Sequence, residues 1–301
     1  MNQKQRHKPR VSKPRWLKRR LPTGPAYENM RALLSKSRLH TVCQEARCPN
    51  LWECFSRETS TFLIMGPGCT RNCRFCNVGH GPSGPPDPEE PARVAAAVQN
   101  LKLSYVVITS VTRDDLPDGG AGLFAKTIKE IRARMPGTLV EVLIPDFQGD
   151  KEALQTVLAA RPDVLNHNLE TVPRLYPSVR PEADYRRSLL LLKHVKRYDA
   201  SIPTKSGLML GLGEFPDEVK KTLEDLLDAD CNILTLGQYL QPTQEHLNVE
   251  RFIPPAEFEE WKKIALGMGF AEVASGPLVR SSYHAKDLYQ KVTLKNTSIY
   301  F

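Results

Sequence analysis

The chain has 301 residues, 41% hydrophobic and 25% charged, which excludes fibrous, collagenous and wholly disordered classes and allows one large domain or two small ones. Its net charge of +8 is concentrated: residues 1–24 hold nine Lys or Arg and no acid, leaving 33 basic residues against 34 acidic ones in the remainder. No apolar run nears the roughly 20 residues of a membrane-spanning helix and no secretory leader opens the chain, so the expected location is the cytoplasm, or the mitochondrion in a eukaryote.

In chain order, the basic segment comes first. Its Pro-spaced Lys and Arg offer little apolar surface to offset ordering entropy, which predicts a flexible or draped arm, either a solubilising tail or a contact for an acidic partner. From residue 61 onward, β-like runs occur at Thr61–Met65, Tyr105–Val111, Thr138–Ile144, Asp163–Leu169, Thr204–Leu210, Asn232–Leu240 and Phe270–Ala274. Amphipathic helical patterns lie between them at 89–101, 121–135, 151–160, 184–198, 216–228 and 255–267. The tail after Ala285 has no strong pattern. Repeated strand–helix alternation predicts an α/β fold with a parallel sheet, open or curled into a barrel, and places chemistry in loops at the carboxyl ends of the strands.

Six of the seven cysteines fall between Cys43 and Cys76, whereas Cys231 stands alone beside a probable core strand and reads as a buried thiol. A disulfide framework does not suit a long, leaderless chain with an odd cysteine, so the cluster points to metal. Cys69, Cys73 and Cys76, at spacings of x3 and x2, follow the first β-like run. Three thiolates so placed can wrap one corner of a cuboidal iron–sulfur cluster and leave the fourth iron open. The other chemistry for this stretch is a zinc site of Cys69, Cys73, Cys76 and His80.

With Phe75 in its penultimate position, this triad resembles the signature of the radical S-adenosylmethionine superfamily. The resemblance implies a full or partial β/α barrel, a cluster whose open iron chelates the methionyl group, an electron that cleaves the sulfonium to a 5′-deoxyadenosyl radical, and Phe75 near adenine. Asn168 and Glu170 are candidates for the methionyl amine or ribose, and Arg180 for its carboxylate, with cap, turn or surface roles as the alternative. Asp114, Asp115 and Asp118 lack calcium-loop spacing and are expected to organise a turn. Gly211-Leu212-Gly213-Glu214 lacks the third glycine of a dinucleotide fingerprint; it reads as backbone approaching S-adenosylmethionine, or as a tight turn.

Cys43, Cys48 and Cys54, at spacings of x4 and x5, form a second triad, and a second cluster there needs a ligand other than cysteine unless Cys231 joins it. Together with Arg280-Ser281-Ser282-Tyr283, the two triads resemble the lipoyl synthase family over about residues 40–285. That resemblance implies Ser282 as fourth ligand of an auxiliary cluster, the alternative being a capping hydroxyl. It implies two [4Fe-4S] clusters and S-adenosylmethionine, with sulfur inserted at C6 and C8 of a protein-bound octanoyl chain at the expense of the auxiliary cluster. Expected partners are an octanoylated lipoyl carrier domain or protein, an electron donor such as flavodoxin or ferredoxin, and cluster-assembly proteins, with neither nucleic acid nor membrane. The expected organisation is a basic arm (1–24), an extension with auxiliary ligands (25–60), a partial (β/α) barrel of the radical SAM type (61–275) and a C-terminal segment (276–301). The competing readings are a methylthiotransferase, for which the 43–54 triad is too local, and a zinc-dependent nucleic-acid-binding module, which leaves the strand–helix units unexplained.

Overall fold

The structure, a computed structural model, describes residues 12–18, 25–56, 61–81 and 84–297. Eight strands form one sheet in chain order: β1 (His40–Thr41), β2 (Thr61–Ile64), β3 (Tyr105–Ser110), β4 (Leu139–Leu143), β5 (Val164–Asn166), β6 (Thr204–Leu210), β7 (Ile233–Gln238) and β8 (Glu272–Gly276). β1 pairs antiparallel with β2, and all later neighbours are parallel. Parallel pairing requires crossovers, which helices Glu90–Asn100, Ala121–Arg134, Lys151–Ala159, Tyr185–Tyr198, Pro216–Asp228 and Pro255–Met268 supply. Local chemistry fixes several of their starts: the Asp150 carboxylate accepts from the amides of Glu152 and Ala153, and that of Asp184 from the amide of Arg187. The predicted strands and crossover helices are all present, with ends moved by a few residues.

Residues of β2, β3, β4, β6 and β7, with His167 and Asn168 just after β5, line one cavity, so the sheet curls into a partial barrel. Residues at alternate positions point inward. Below the cavity, the lumen holds Glu141 of β4 and Lys205 of β6, each 1% exposed, joined at 3.0 Å. Tyr105 donates to Glu141 at 2.6 Å and Asn166 donates to it at 3.1 Å, so the buried charge is hydrogen-bonded as well as paired.

The C-terminal tail and the short antiparallel strand β1 depart from the sequence reading, while the arm takes one of its two expected forms. The tail after Ala285 is a helix, Ala285–Thr297. It packs on Tyr105 and Leu139 through Ala285 and Tyr289, and on Ile233, Ala271 and Ala274 through Leu288 and Val292. It therefore spans from early strands to late ones. The described part of the arm, residues 12–18, contains a 3-10 turn at Arg15–Leu17 with Leu17 buried, so this stretch is draped on the protein. The rest of the arm lies outside the described residues.

Candidate active site

The loop after β2 carries the first triad, and backbone contacts fix it on several sides. Cys69 donates from its amide to Gly79 and accepts from Gly81; Thr70 donates to Thr112, Arg74 to Val179, and Cys76 to Cys73. Arg71, only 4% exposed, adds the strongest restraint. Its guanidinium reaches Asp114 at 2.6 Å and Asp146 at 2.6 Å, tying the cysteine loop to the loops after β3 and β4. Burial disfavours the Arg71 charge, but the Asp114 and Asp146 hydrogen bonds more than offset this and hold the proton more tightly than usual.

The second triad lies in two short helices and the turn between them, which holds Cys48. Cys43 sits in Val42–Glu45, whose first turn is capped by the Thr41 hydroxyl, and Cys54 sits in Leu51–Ser56. The C-terminal segment closes over both. Buried Asn50 donates to the Leu278 carbonyl at 2.6 Å, Tyr283 donates its hydroxyl to Glu53 at 3.1 Å, and Thr61 donates to Ser282 at 2.8 Å. Thr61 also hydrogen-bonds Cys43, so Ser282 and Cys43 share a neighbour. Asn77 donates to the Glu45 carbonyl at 2.8 Å and joins the two cysteine segments directly.

A cavity of about 600 Å³ receives both sets: Cys69, Cys73 and Cys76 line it, as do Cys43, Cys48 and Ser282. Cys54 lies behind this lining. Two glycines open the barrel mouth to the C-terminal segment. A Cβ at Gly237 of β7 would collide with the Val279 carbonyl, and one at Gly207 of β6 would lie 2.5 Å from the Thr235 hydroxyl and 3.1 Å from Asn168 Oδ1.

Phe75, Asn168, Glu170 and Arg180 line the same cavity, as expected of groups that meet one ligand. Asn168 Nδ2 donates to Glu170 at 3.0 Å, and burial raises the Glu170 pKa while Arg180 and Asn168 oppose this. Arg180 is partly committed: one nitrogen donates to the carbonyls of Asn168 and Leu169 at 2.8 and 3.1 Å, while Nε has no hydrogen-bond partner. Burial disfavours the charge of Arg280, and Cys48 and Glu170 both favour it. This places a cation in the cavity wall near Cys48 and Glu170. Sequence reasoning missed Arg280, Asn50 and Tyr283 as separate actors; the signal available was their position in or beside the two motifs.

Burial pushes the Cys43 and Cys76 thiols up to about 12 and Cys73 up to about 11. These thiols hold their protons at neutral pH in the metal-free protein, and iron must displace them. Among the described residues, no three His, Cys, Asp or Glu side chains converge on a point that holds a lone metal ion. A cuboidal cluster makes no such demand, because each thiolate binds a separate iron. The Nδ1 atom of His80 is engaged with the Arg71 carbonyl at 2.9 Å, a contact that occupies one of its two ring nitrogens and does not decide between the zinc and iron–sulfur readings.

Other sequence expectations also find their places. Asp115 pairs with Arg113, and Asp118 accepts from the Gly120 and Gly122 amides, so the acidic loop organises its own turn. The amides of Gly211 and Leu212 both bond Glu214, which makes this stretch a tight turn, and none of residues 211–214 lines the cavity. Cys231 is buried at 3% exposure, its thiol near the Ile233 carbonyl.

A family model of the radical SAM superfamily matches residues 63–226, and one of the N-terminal domain of lipoyl synthase matches residues 1–48. The lipoyl synthase of Desulfotalea psychrophila is 60% identical over 285 residues, covering 95% of each chain. The chain belongs to the lipoyl synthase family. The lipoyl synthase of Caldanaerobacter subterraneus subsp. tengcongensis is 57% identical over 91% of this chain and 96% of its own. Among solved structures, HydG, a maturase of the [FeFe]-hydrogenase, superposes with a TM-score of 0.54 at 13% identity over 87% of this chain and 74% of its own. Coproporphyrinogen III oxidase (HemN) from Escherichia coli, a radical SAM enzyme, gives 0.52 at 14% identity over 69% and 52%. At these identities the likeness is one of fold. Family membership makes this chain a radical SAM sulfurtransferase, for which S-adenosylmethionine and iron–sulfur clusters are the implied cofactors. No helix among the described residues is long and apolar enough to cross a membrane.

Proposed function

We propose that the chain inserts two sulfur atoms, at C6 and C8, into an octanoyl group carried on a lysine of a lipoyl carrier domain. Two [4Fe-4S] clusters serve this, one on Cys69, Cys73 and Cys76, the other on Cys43, Cys48, Cys54 and Ser282. When bound, they supply the electron that cleaves S-adenosylmethionine and the sulfur that is transferred. The observation that carries the reading is the one cavity bordered by Cys69, Cys73 and Cys76 and also by Cys43, Cys48 and Ser282.

The chain's own residues do the positioning. Glu170 and Asn168 offer acceptors to the methionyl amine or ribose, Arg180 offers its free Nε to the carboxylate, and Phe75 packs beside adenine. Leu63, Val78, Val111, Leu208 and Leu240 give the same cavity an apolar wall that suits an acyl chain and keeps water from a reactive radical. Holding chain, S-adenosylmethionine and sulfur donor in one enclosure replaces encounters by proximity. Lys13 of the arm and Arg47 are exposed and border the cavity, putting positive charge where an acidic carrier would dock. In domain terms, 1–24 would steer the carrier, 25–60 and 276–301 would hold the auxiliary cluster, and 61–275 would form the radical barrel.

The test is anaerobic incubation with S-adenosylmethionine, a reductant and an octanoyl-lysyl peptide, followed by mass analysis. The expected product carries two added sulfurs. Cys48→Ala should abolish the gain and still yield 5′-deoxyadenosine. An unmodified peptide from iron-replete enzyme that cleaves S-adenosylmethionine would refute the function.

A further inference from the structure

The adjacent serines of the C-terminal motif face different groups. Ser282 Oγ accepts a hydrogen bond from Thr61, which also contacts Cys43. Ser281 Oγ instead accepts from Asn168 Nδ2 at 2.6 Å, and that same Nδ2 donates to Glu170 at 3.0 Å. We propose that Ser281 is a positioning residue for S-adenosylmethionine: by accepting from Asn168 it fixes the amide that in turn aims the Glu170 carboxylate. The inference rests on the assignment of Asn168 and Glu170 to that ligand.

The geometry is restrictive. The Glu170 carboxylate can only accept and the Ser281 hydroxyl can accept as well as donate, so the Asn168 amide sits with Nδ2 between Glu170 and Ser281 and Oδ1 over Gly207. A Cβ on Gly207 would come within 3.1 Å of Asn168 Oδ1 and 3.4 Å of Ser281 Oγ, so the strand has no side chain where this contact is made. The Glu170 backbone is pinned independently. It has φ of +67°, donates to the Gly207 carbonyl at 2.9 Å and accepts from the Met209 amide at 2.8 Å. With the backbone fixed, the direction of the carboxylate falls to its side-chain neighbours, of which Asn168 is the hydrogen-bonded one. Removing the Ser281 oxygen leaves a buried N–H without its acceptor and frees the amide to turn.

The experiment uses iron-replete enzyme without turnover and measures S-adenosylmethionine affinity by anaerobic equilibrium dialysis, together with iron and sulfide per chain. Ser281→Ala should weaken binding about tenfold, the effect of one buried hydrogen bond, with iron and sulfide unchanged. Ser281→Thr, which keeps the hydroxyl, should bind within about twofold of the parent. In an Asn168→Ala background, Ser281→Ala should have no further effect. Unchanged affinity in Ser281→Ala beside weakened affinity in Asn168→Ala would overturn the positioning role alone, as would loss of iron from Ser281→Ala. Unchanged affinity in Asn168→Ala would overturn the ligand assignment itself, and this proposal with it.

Discussion

Replacing Arg71 with Met removes the cation that fastens the Cys69–Cys76 loop to the barrel. The Asp146 carboxylate it leaves behind has a fully buried side chain. Burial pushes that carboxyl up, yet the Arg71 hydrogen bond and charge hold it down to about 2, against an ordinary value of 3.8. A depression of nearly two units corresponds to roughly 2.5 kcal/mol of net stabilisation, already reduced by desolvation. Breaking one side of a buried pair costs about 3–5 kcal/mol, and Arg187, 3.3 Å from Asp146, still offers partial compensation. The expected loss is therefore about 3 kcal/mol at neutral pH, read as a lowered urea midpoint for the metal-free protein followed by circular dichroism. Asp146→Asn added to Arg71→Met should recover part of the loss, because no uncompensated anion remains. A loss under about 1 kcal/mol, or a double variant as unstable as the sum of both single ones, would refute the reasoning.

Two further outcomes follow from the same region. Burial and the nearby Arg180 charge lower the His167 pKa to about 4 from an ordinary 6.5. The unfolded chain thus takes up this proton first, and stability that is full above pH 6.5 should fall by roughly 3 kcal/mol as pH drops towards 4. His167→Gln should flatten that part of the pH profile of the urea midpoint; an unaltered profile would show that other groups govern it. Gly237→Ala forces the Val279 carbonyl away from β7 and shifts the segment carrying both Ser281 and Ser282. It should lower iron content and S-adenosylmethionine affinity together, and retention of both at parental values would contradict the proposed contact.

The periodic patterns made most of the barrel legible, because parallel strands buried on both faces read as apolar runs and their crossover helices carry apolar stripes. Spacing alone marked both triads. The helix Ala285–Thr297 escaped because its buried positions Ala285, Leu288 and Val292 are few and one is small. β1 escaped because two residues carry no period. The ion pair of Glu141 and Lys205 was hidden inside β-like runs, where only the three-dimensional curl shows that the two side chains face one another across the lumen. The pairing of Arg71 with Asp114 and Asp146 was illegible for the same reason: charges 43 and 75 residues away have no signature in local sequence.

The two triads differ in what must fold before each can work. The three thiols of the first lie within eight residues of one loop, whose backbone is pinned to β3 and to residues near Val179. The second begins at Cys43 and is completed, on the proposed assignment, by an oxygen at residue 282. That oxygen belongs to a segment remote in sequence, between β8 and the helix Ala285–Thr297. Bringing together groups so far apart in sequence costs loop-closure entropy, which folding of the barrel has to meet. A bond that a small local displacement released, without unfolding the barrel, would suit the proposed consumption of the auxiliary cluster. On the same proposal, the cluster that cleaves S-adenosylmethionine would be held by the more local loop from Cys69 to Cys76.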